Sequence, residues 1–386
     1  MLKLKFRYKI LLIIFLLVMI TSLWPKNIYL LVLFSILTYV VLPLKRWWTS
    51  TALILFVFSL FYSMMAVMTD QIGSGFMLIA ILVAPVGLYR FGQWLMYTFY
   101  EDKVRQRLLL IIITAYLLPL FILTFKDVAM VGIVNVSRSM GGDMDTGDSL
   151  AATLYGMMSA VGIAGIASVF AKGQSLGIRL LYIILSLLSL FVVIHLVNRT
   201  GLIVFVTCIL AALVFSTDMK MSRIITSLIL LGAVSFALFK TGIMAEDILD
   251  AYMDREMSAT SDMSELGGRS DIWADALYQL ARHPLGWERV RYAHNLWLDI
   301  ARVGGWFALL LFIIPTFKWL RNGLRLMRKT KTPFLLMILS MNAAMFLSSF
   351  VEPVIEGSIL FFSLFMMIWG VTESISVNSG SPVLKS

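Results

Sequence analysis

Between Gly268 and Gly305 the chain reads GRSDIWADALYQLARHPLGWERVRYAHNLWLDIARVGG, the longest polar interval in an otherwise apolar protein. It carries Arg269, Arg282, Arg289, Arg291 and Arg302 together with two of the three histidines, His283 and His294. Guanidinium forks match pairs of phosphate or carboxylate oxygens. An imidazole, with an ordinary pKa of about 6.5, can take or give a proton near neutrality. A further arginine, Arg199, stands in IHLVNRTGLIVF between two apolar runs, with almost no room for a loop. An ionisable group at such a depth is costly and is usually paired or functional; the plainer account is snorkelling to the interface. The chemistry this set could perform is to hold an anion and move a proton beside it.

The elements that must position these residues are dictated by composition. Of 386 residues, 60% are hydrophobic and 14% charged, and the mean hydropathy is +0.90. A soluble domain of this size cannot bury so much apolar surface, which implies an all-α, polytopic integral membrane protein. Reading about 17–25 apolar residues per span predicts about 12 transmembrane helices in one domain covering residues 1–386. The expected spans are 9–24, 28–43, 50–68, 75–98, 107–124, 149–171, 177–196, 201–216, 223–242, 294–317, 333–351 and 357–375. With the amino terminus inside, the inner segments hold twenty Lys/Arg against four outside, leaving aside residues 240–291. That bias puts both termini in the cytoplasm. It also explains the net charge of +10 and the run RNGLRLMRKTK without nucleic acid. The lone Cys208 excludes an intramolecular disulfide. The apolar start of the chain reads as a retained anchor.

Two external loops follow from this parity. The larger, 243–293, is external in this layout. It carries Arg255, Arg269, Arg282, Arg289 and Arg291, an excess on the translocated side that suits an anionic partner, although its acidic residues could simply balance it. Within it Ile272, Trp273, Ala276, Leu277 and Leu280 recur at helical spacing, predicting a short amphipathic helix on the membrane surface, capped by Ser270 or Asp271 and ended by Pro284 and Gly286. His294 and Asn295 then stand at the mouth of the tenth span. The Gly304-Gly305 pair suits close helix contact, and Asp299 and Arg302 suit a pair three residues apart. The smaller loop, 125–148, carries Arg138 and GGDMDTGD; Asp143 and Asp145 could hold a hard cation, but the calcium-loop pattern is incomplete and a flexible polar turn is the favoured account. His195 reads as a packed interfacial histidine, Glu352 and Glu356 as a solvated turn, and Trp287 and Tyr292 as rings able to stack on sugars.

Arranged in order, Asn198-Arg199-Thr200-Gly201, Gly268-Arg269 with Trp273, Pro284-x-Gly286, His294-Asn295-x-x-Leu298 and Gly305 resemble the O-antigen ligase and O-antigen polymerase superfamily of bacterial envelope glycan assembly. The match covers roughly 195–310 and departs at Ala308, where the ligases often carry a further glycine. The resemblance implies a multi-pass protein of the bacterial inner membrane that moves a glycan, with inversion, from an undecaprenyl-diphosphate donor to an acceptor sugar hydroxyl. It implies no metal and no cofactor. On this basis Arg199 and Arg269 would clamp the diphosphate and His294 would take or orient the hydroxyl proton. Asn295, Arg291, Arg289, Arg138 and Trp273 would bind substrate. Partners would be the lipid-linked glycan, an acceptor glycan or lipid A-core, membrane lipids and a chain-length regulator. A repeat-unit polymerase is favoured. A ligase acting on lipid A-core is the alternative within the superfamily, a transporter or flippase of lipid-linked sugars the alternative outside it, and a metal-dependent transferase using Asp143 and Asp145 the third.

Overall fold

The computed structural model describes residues 5–24, 26–42, 48–69, 75–135, 139–141, 149–171, 173–215, 269–287, 293–328 and 332–378. The expected span 223–242 lies outside them. The described chain is helical apart from a three-residue antiparallel ladder, β1 (Ser139–Gly141) with β2 (Ser149–Ala151). Its helices are α1 (Phe6–Ile20), α2 (Asn27–Val41), α3 (Ser50–Met68), α4 (Gly75–Thr98), α5 (Asp102–Val131), α6 (Ala152–Ile163), α7 (Leu176–His195) and α8 (Arg199–Phe215). After the undescribed segment come α9 (Arg269–Arg282), α10 (Leu296–Met327), α11 (Pro333–Val351), the single turn α12 (Val354–Gly357) and α13 (Ile359–Asn378).

Eight of the helical segments are long and apolar enough to cross a bilayer: α3, α4, α5, α6 with its continuation to Val169, α7, α10, α11 and α13. The protein is therefore a polytopic helical membrane protein in layout. Helices α1, α2 and α8 fall where spans are expected, with 15, 15 and 17 residues. Several boundaries differ from expectation, and the tenth span, expected to end at 317, runs on to Met327. The fifth span continues to Val131, because Asp127 is buried and paired instead of lying in a loop. The sixth begins at Ala152 and tightens into a 3₁₀ stretch over Ala164–Phe170.

Polar side chains hold the bundle together at depth, where no water can satisfy them. Trp319 Nε1 donates to Asn342 Oδ1 at 2.5 Å, and Asn342 Nδ2 donates to Thr372 Oγ1 at 2.9 Å, tying α10, α11 and α13. At the end where α10 and α13 finish, Thr51 and Tyr89 hydroxyls donate to Glu373 Oε2, each at 2.8 Å, with Lys318 3.7 Å from the other oxygen. The candidate site is gathered at the opposite end. There α5, α7 and α11 finish while α6, α8, α10 and α13 begin.

Candidate functional site

Residues 269–305 fold as predicted in outline and are tied down in detail. Helix α9 opens on Arg269, so Ser270 and Asp271, expected to cap it, lie inside its first turn. Its inner face buries Ala276 and Leu280, with Leu280 packed against Ala301 and Leu309 of α10. Leu277 and Tyr278 of α9 remain exposed, as does Leu285 in the turn that follows. The Trp273 indole Nε1 donates to the Ala293 carbonyl at 2.8 Å, and its ring meets Phe350 edge-on. One side chain thus joins the helix that starts at Arg269 to the residue before His294.

His294 itself has φ +51°, in the left-handed region that non-glycine residues rarely occupy. Its neighbours hold it there. Asp299, 1% exposed, accepts the peptide N–H of Ala293 at 2.8 Å on one oxygen and that of Asn295 at 3.2 Å on the other. Asn295 caps α10: its Oδ1 accepts from the N–H groups of Trp297 and Leu298 at 3.1 and 3.2 Å. Its Nδ2 donates to the Phe350 carbonyl at 3.1 Å, so the whole carboxamide is engaged by the protein. The bonds run both ways between cap and first turns, as in a capping box.

Of the glycine pair in α10, Gly304 faces Phe61 and Met65 of α3, as close helix contact requires, whereas Gly305 does something else. Gly305 has φ +60° and ψ −158°, which breaks the helix. The groups this frees are met by the turn after α9: Trp287 N–H donates to the Arg302 carbonyl and Trp306 N–H to the Pro284 carbonyl, both at 2.9 Å. Gly286, at φ +109°, lies so close to the Arg302 and Val303 carbonyls that a side chain there would collide. The Pro-x-Gly turn and the distant glycine are thus two halves of one backbone joint. Trp287 is partly buried in the small core beneath α9 with Leu280, Ala301 and Leu309.

The turn between α11 and α13 also belongs to the site. Glu352, expected in a solvated turn, is 4% exposed and lies 3.8 Å from the Arg269 guanidinium. Glu352 is the C-cap of α11, and the turn that follows it is tied to α10 by the Arg302–Glu356 bond. Asp299 and Arg302 do approach, at 3.7 Å, but Arg302 makes its shorter bond to Glu356, at 2.7 Å.

Arg199 reaches this end of the bundle by another route. Helices α7 and α8 are joined by Leu196, Val197 and Asn198. The Asn198 N–H donates to the Val193 carbonyl at 2.9 Å and the Val197 N–H to that of Ile194 at 3.0 Å, the pair of bonds of a Schellman cap. Val197, at φ +50°, occupies the place usually given to glycine. Asn198 then caps the next helix, accepting from the Gly201 N–H at 3.0 Å, while its Nδ2 donates to the Ala152 carbonyl at 3.0 Å. Gly357 lies against Met157, one turn further along α6, so the Arg199 corner and the Glu352 segment both border the start of that helix. Arg199, partly buried, is the first residue of α8 as Arg269 is of α9. A cation at the positive end of a helix dipole is disfavoured by about 0.3–1 kcal/mol, whereas an anion there is favoured by both the arginine and the helix.

No protein-family model and no curated protein matches the chain.

Arg138, Arg289, Arg291 and Tyr292, with the Asp143 and Asp145 pair, lie outside the described residues. Among the described residues no three His, Cys, Asp or Glu side chains converge as metal ligands. The structure brings Arg269, Trp273, His294 and Asn295 into one cluster and adds Glu352 and Asp299. Apart from that cluster, Asp127 is hydrogen-bonded to His195 beside the Arg199 corner. The signal for Asp127 was available: a lone carboxylate directly after an apolar run is an ionisable group at membrane depth. The signal for Glu352 was masked by Pro353, which reads as a turn from sequence alone.

Proposed function

We propose that this protein transfers a glycan from an undecaprenyl-diphosphate donor to an acceptor sugar hydroxyl, as a repeat-unit polymerase of a bacterial surface polysaccharide. In this reading the chain crosses the inner membrane twelve times with both termini cytoplasmic, and residues 269–305 face the periplasm. The observation that carries the proposal is the Trp273–Ala293 hydrogen bond, which couples a helix opening on a guanidinium to an imidazole held in a strained turn. Arg199 at the N-terminus of α8 gives the anion-binding half further support.

The step balances as follows. The acceptor hydroxyl gives its proton to His294 as its oxygen bonds to the anomeric carbon from the face opposite the leaving group. The anomeric carbon–oxygen bond to the diphosphate breaks, and its electron pair leaves with the polyprenyl diphosphate. Arg199 and Arg269 meet that charge; Glu352, 3.8 Å from Arg269, balances the guanidinium before the donor arrives. Losing one such charge-stabilising donor typically costs about 2.7–4 kcal/mol, or about 10²–10³ in rate.

The test is transfer by purified protein carrying Arg269→Ala or His294→Ala. Each variant is expected to insert and fold while transfer falls about 10²–10³-fold. A rate near the parent's would remove that residue from the mechanism. Cells lacking the gene would separate the two acceptors: a single core-attached repeat indicates a polymerase, and the absence of any core-attached repeat indicates a ligase.

A further inference from the structure

Beneath Arg199 lies a buried ionisable pair that the transfer reaction does not itself use. His195, the last residue of α7, has no exposed area, and Asp127 near the end of α5 is 4% exposed. The His195 Nε2 lies 2.9 Å from Asp127 Oδ2, and Nδ1 lies 2.8 Å from the Ile133 carbonyl oxygen. Asn135 Nδ2 donates to the same Asp127 oxygen at 2.6 Å, and its backbone N–H donates to the His195 carbonyl at 2.8 Å. A carbonyl oxygen can only accept, so the ring donates at Nδ1, and a second proton joins Nε2 to the carboxylate. One imidazole thereby ties together the end of α5, the segment that leaves it, and the last residue before the Arg199 corner.

A buried ion pair is seldom retained for stability, because desolvation offsets its attraction and well-packed apolar residues commonly do as well. This one sits where geometry is most demanding. Directly after His195 the backbone enters the corner in which Val197 has φ +50°. The two Schellman bonds and the Asn198 cap fix the inside of that corner, whereas its attachment to the neighbouring α5 runs through His195. We propose that Asp127 and His195 are a positioning pair, locking the strained α7–α8 corner so that Arg199 is presented in one orientation to the diphosphate of the lipid-linked donor. This rests on the reading of Arg199 as a diphosphate-holding group, and adds to it the residues that aim the guanidinium.

The experiment uses the full-length protein in nanodiscs and the double variant Asp127→Leu/His195→Phe, which replaces the pair with apolar groups. Three quantities are read: the unfolding midpoint, amide hydrogen exchange over residues 193–203, and affinity for inorganic pyrophosphate as the probe. The expected result is a midpoint near the parent's, with exchange over 193–203 faster by about tenfold or more while other helices keep their protection. Pyrophosphate affinity is expected to fall by about the same factor, tenfold corresponding to about 1.4 kcal/mol. Parent-like protection over 193–203 would overturn the proposal and leave the pair a packing feature. Should the double variant fail to accumulate, His195→Gln is judged on the same exchange measurement, since its shorter amide cannot reach Asp127 and Ile133 together. Arg199→Ala separates the two readings. Unchanged pyrophosphate affinity in that variant removes Arg199 from anion binding, while the exchange data still decide whether the pair braces the corner.

Discussion

Val197-Asn198-Arg199 and His294-Asn295-Leu296 are the same device used twice. Val197 and His294 are the non-glycine residues with positive φ among the described residues. Each is followed by an asparagine whose Oδ1 caps the next helix and whose Nδ2 donates to a carbonyl on a neighbouring segment, Ala152 in one case and Phe350 in the other. Each has a buried aspartate nearby. What differs is where the reactive group sits and how the brace reaches it. At the first corner the strained residue is an inert valine, and the arginine rides on the helix beyond the cap. At the second the strained residue is the histidine itself. Asp299 grips the peptide groups on both sides of His294 directly, while Asp127 acts through an imidazole one helix end away. In the proposed reaction the difference has a use: a cation that must meet a diffuse anion can be aimed by a helix start, whereas a proton acceptor needs its own backbone fixed.

The largest effect should come from breaking the direct brace. Asp299→Ala strands two buried peptide N–H groups, each worth about 1–3 kcal/mol when unsatisfied, and removes one of the two carboxylates beside Arg302. A loss of about 3 kcal/mol or more is expected in detergent unfolding followed by tryptophan fluorescence. Asp299→Asn offers one acceptor oxygen for two donors, so it should fall between this variant and the parent and still lose transfer. An unchanged unfolding midpoint in Asp299→Ala would mean that the His294 turn holds itself, and the parallel between the two corners would fail.

The outline of this arrangement was legible in the residues, and its joints were not. Hydropathy located eight of the expected spans on helices long and apolar enough to cross a bilayer, because a bilayer imposes a minimum apolar length; the range 75–98 coincides with α4 and 333–351 with α11. The spacing of Trp273, Ala276 and Leu280 revealed α9, since an amphipathic period is a local property. Gly305 was read as a packing glycine, because its role as a helix break depends on Pro284 and Trp287 arriving from eighteen or more residues away. Glu352 and Asp127 were assigned to solvated or loop positions for a related reason: burial of a charge is decided by its partner, and both partners, Arg269 and His195, are remote in sequence. Positive φ at Val197 and His294 leaves no trace in the residue types, because neither valine nor histidine suits that conformation.

The next effect tests whether the two corners are equivalent. Asn198→Ala and Asn295→Ala each remove an N-cap, worth about 0.5–2 kcal/mol, together with one bond to a distant carbonyl, worth about 0.5–1.5 kcal/mol. Both should lower stability by about 1–3 kcal/mol in the same unfolding assay, and by similar amounts. A loss confined to one of them would show that only that corner depends on its asparagine.

The smallest effect should follow Val197→Gly, and its size identifies what keeps a valine in the left-handed region. The strain amounts to about 1–2 kcal/mol, which glycine would release. Against this stands the Val197 side chain, 2% exposed, whose burial contributes about 1.5–3 kcal/mol, and the backbone entropy of glycine, which costs about 0.5–1 kcal/mol more. The terms cancel in part, leaving a net loss of about 1.5 kcal/mol, less than a buried valine is worth where its backbone carries no strain. A much larger loss in the unfolding midpoint would mean that the valine is held chiefly by its packing and carries little strain. A gain would mean that strain dominates, and that the corner retains a conformation its own residue disfavours because the bundle around Asp127, His195 and Asn198 enforces it.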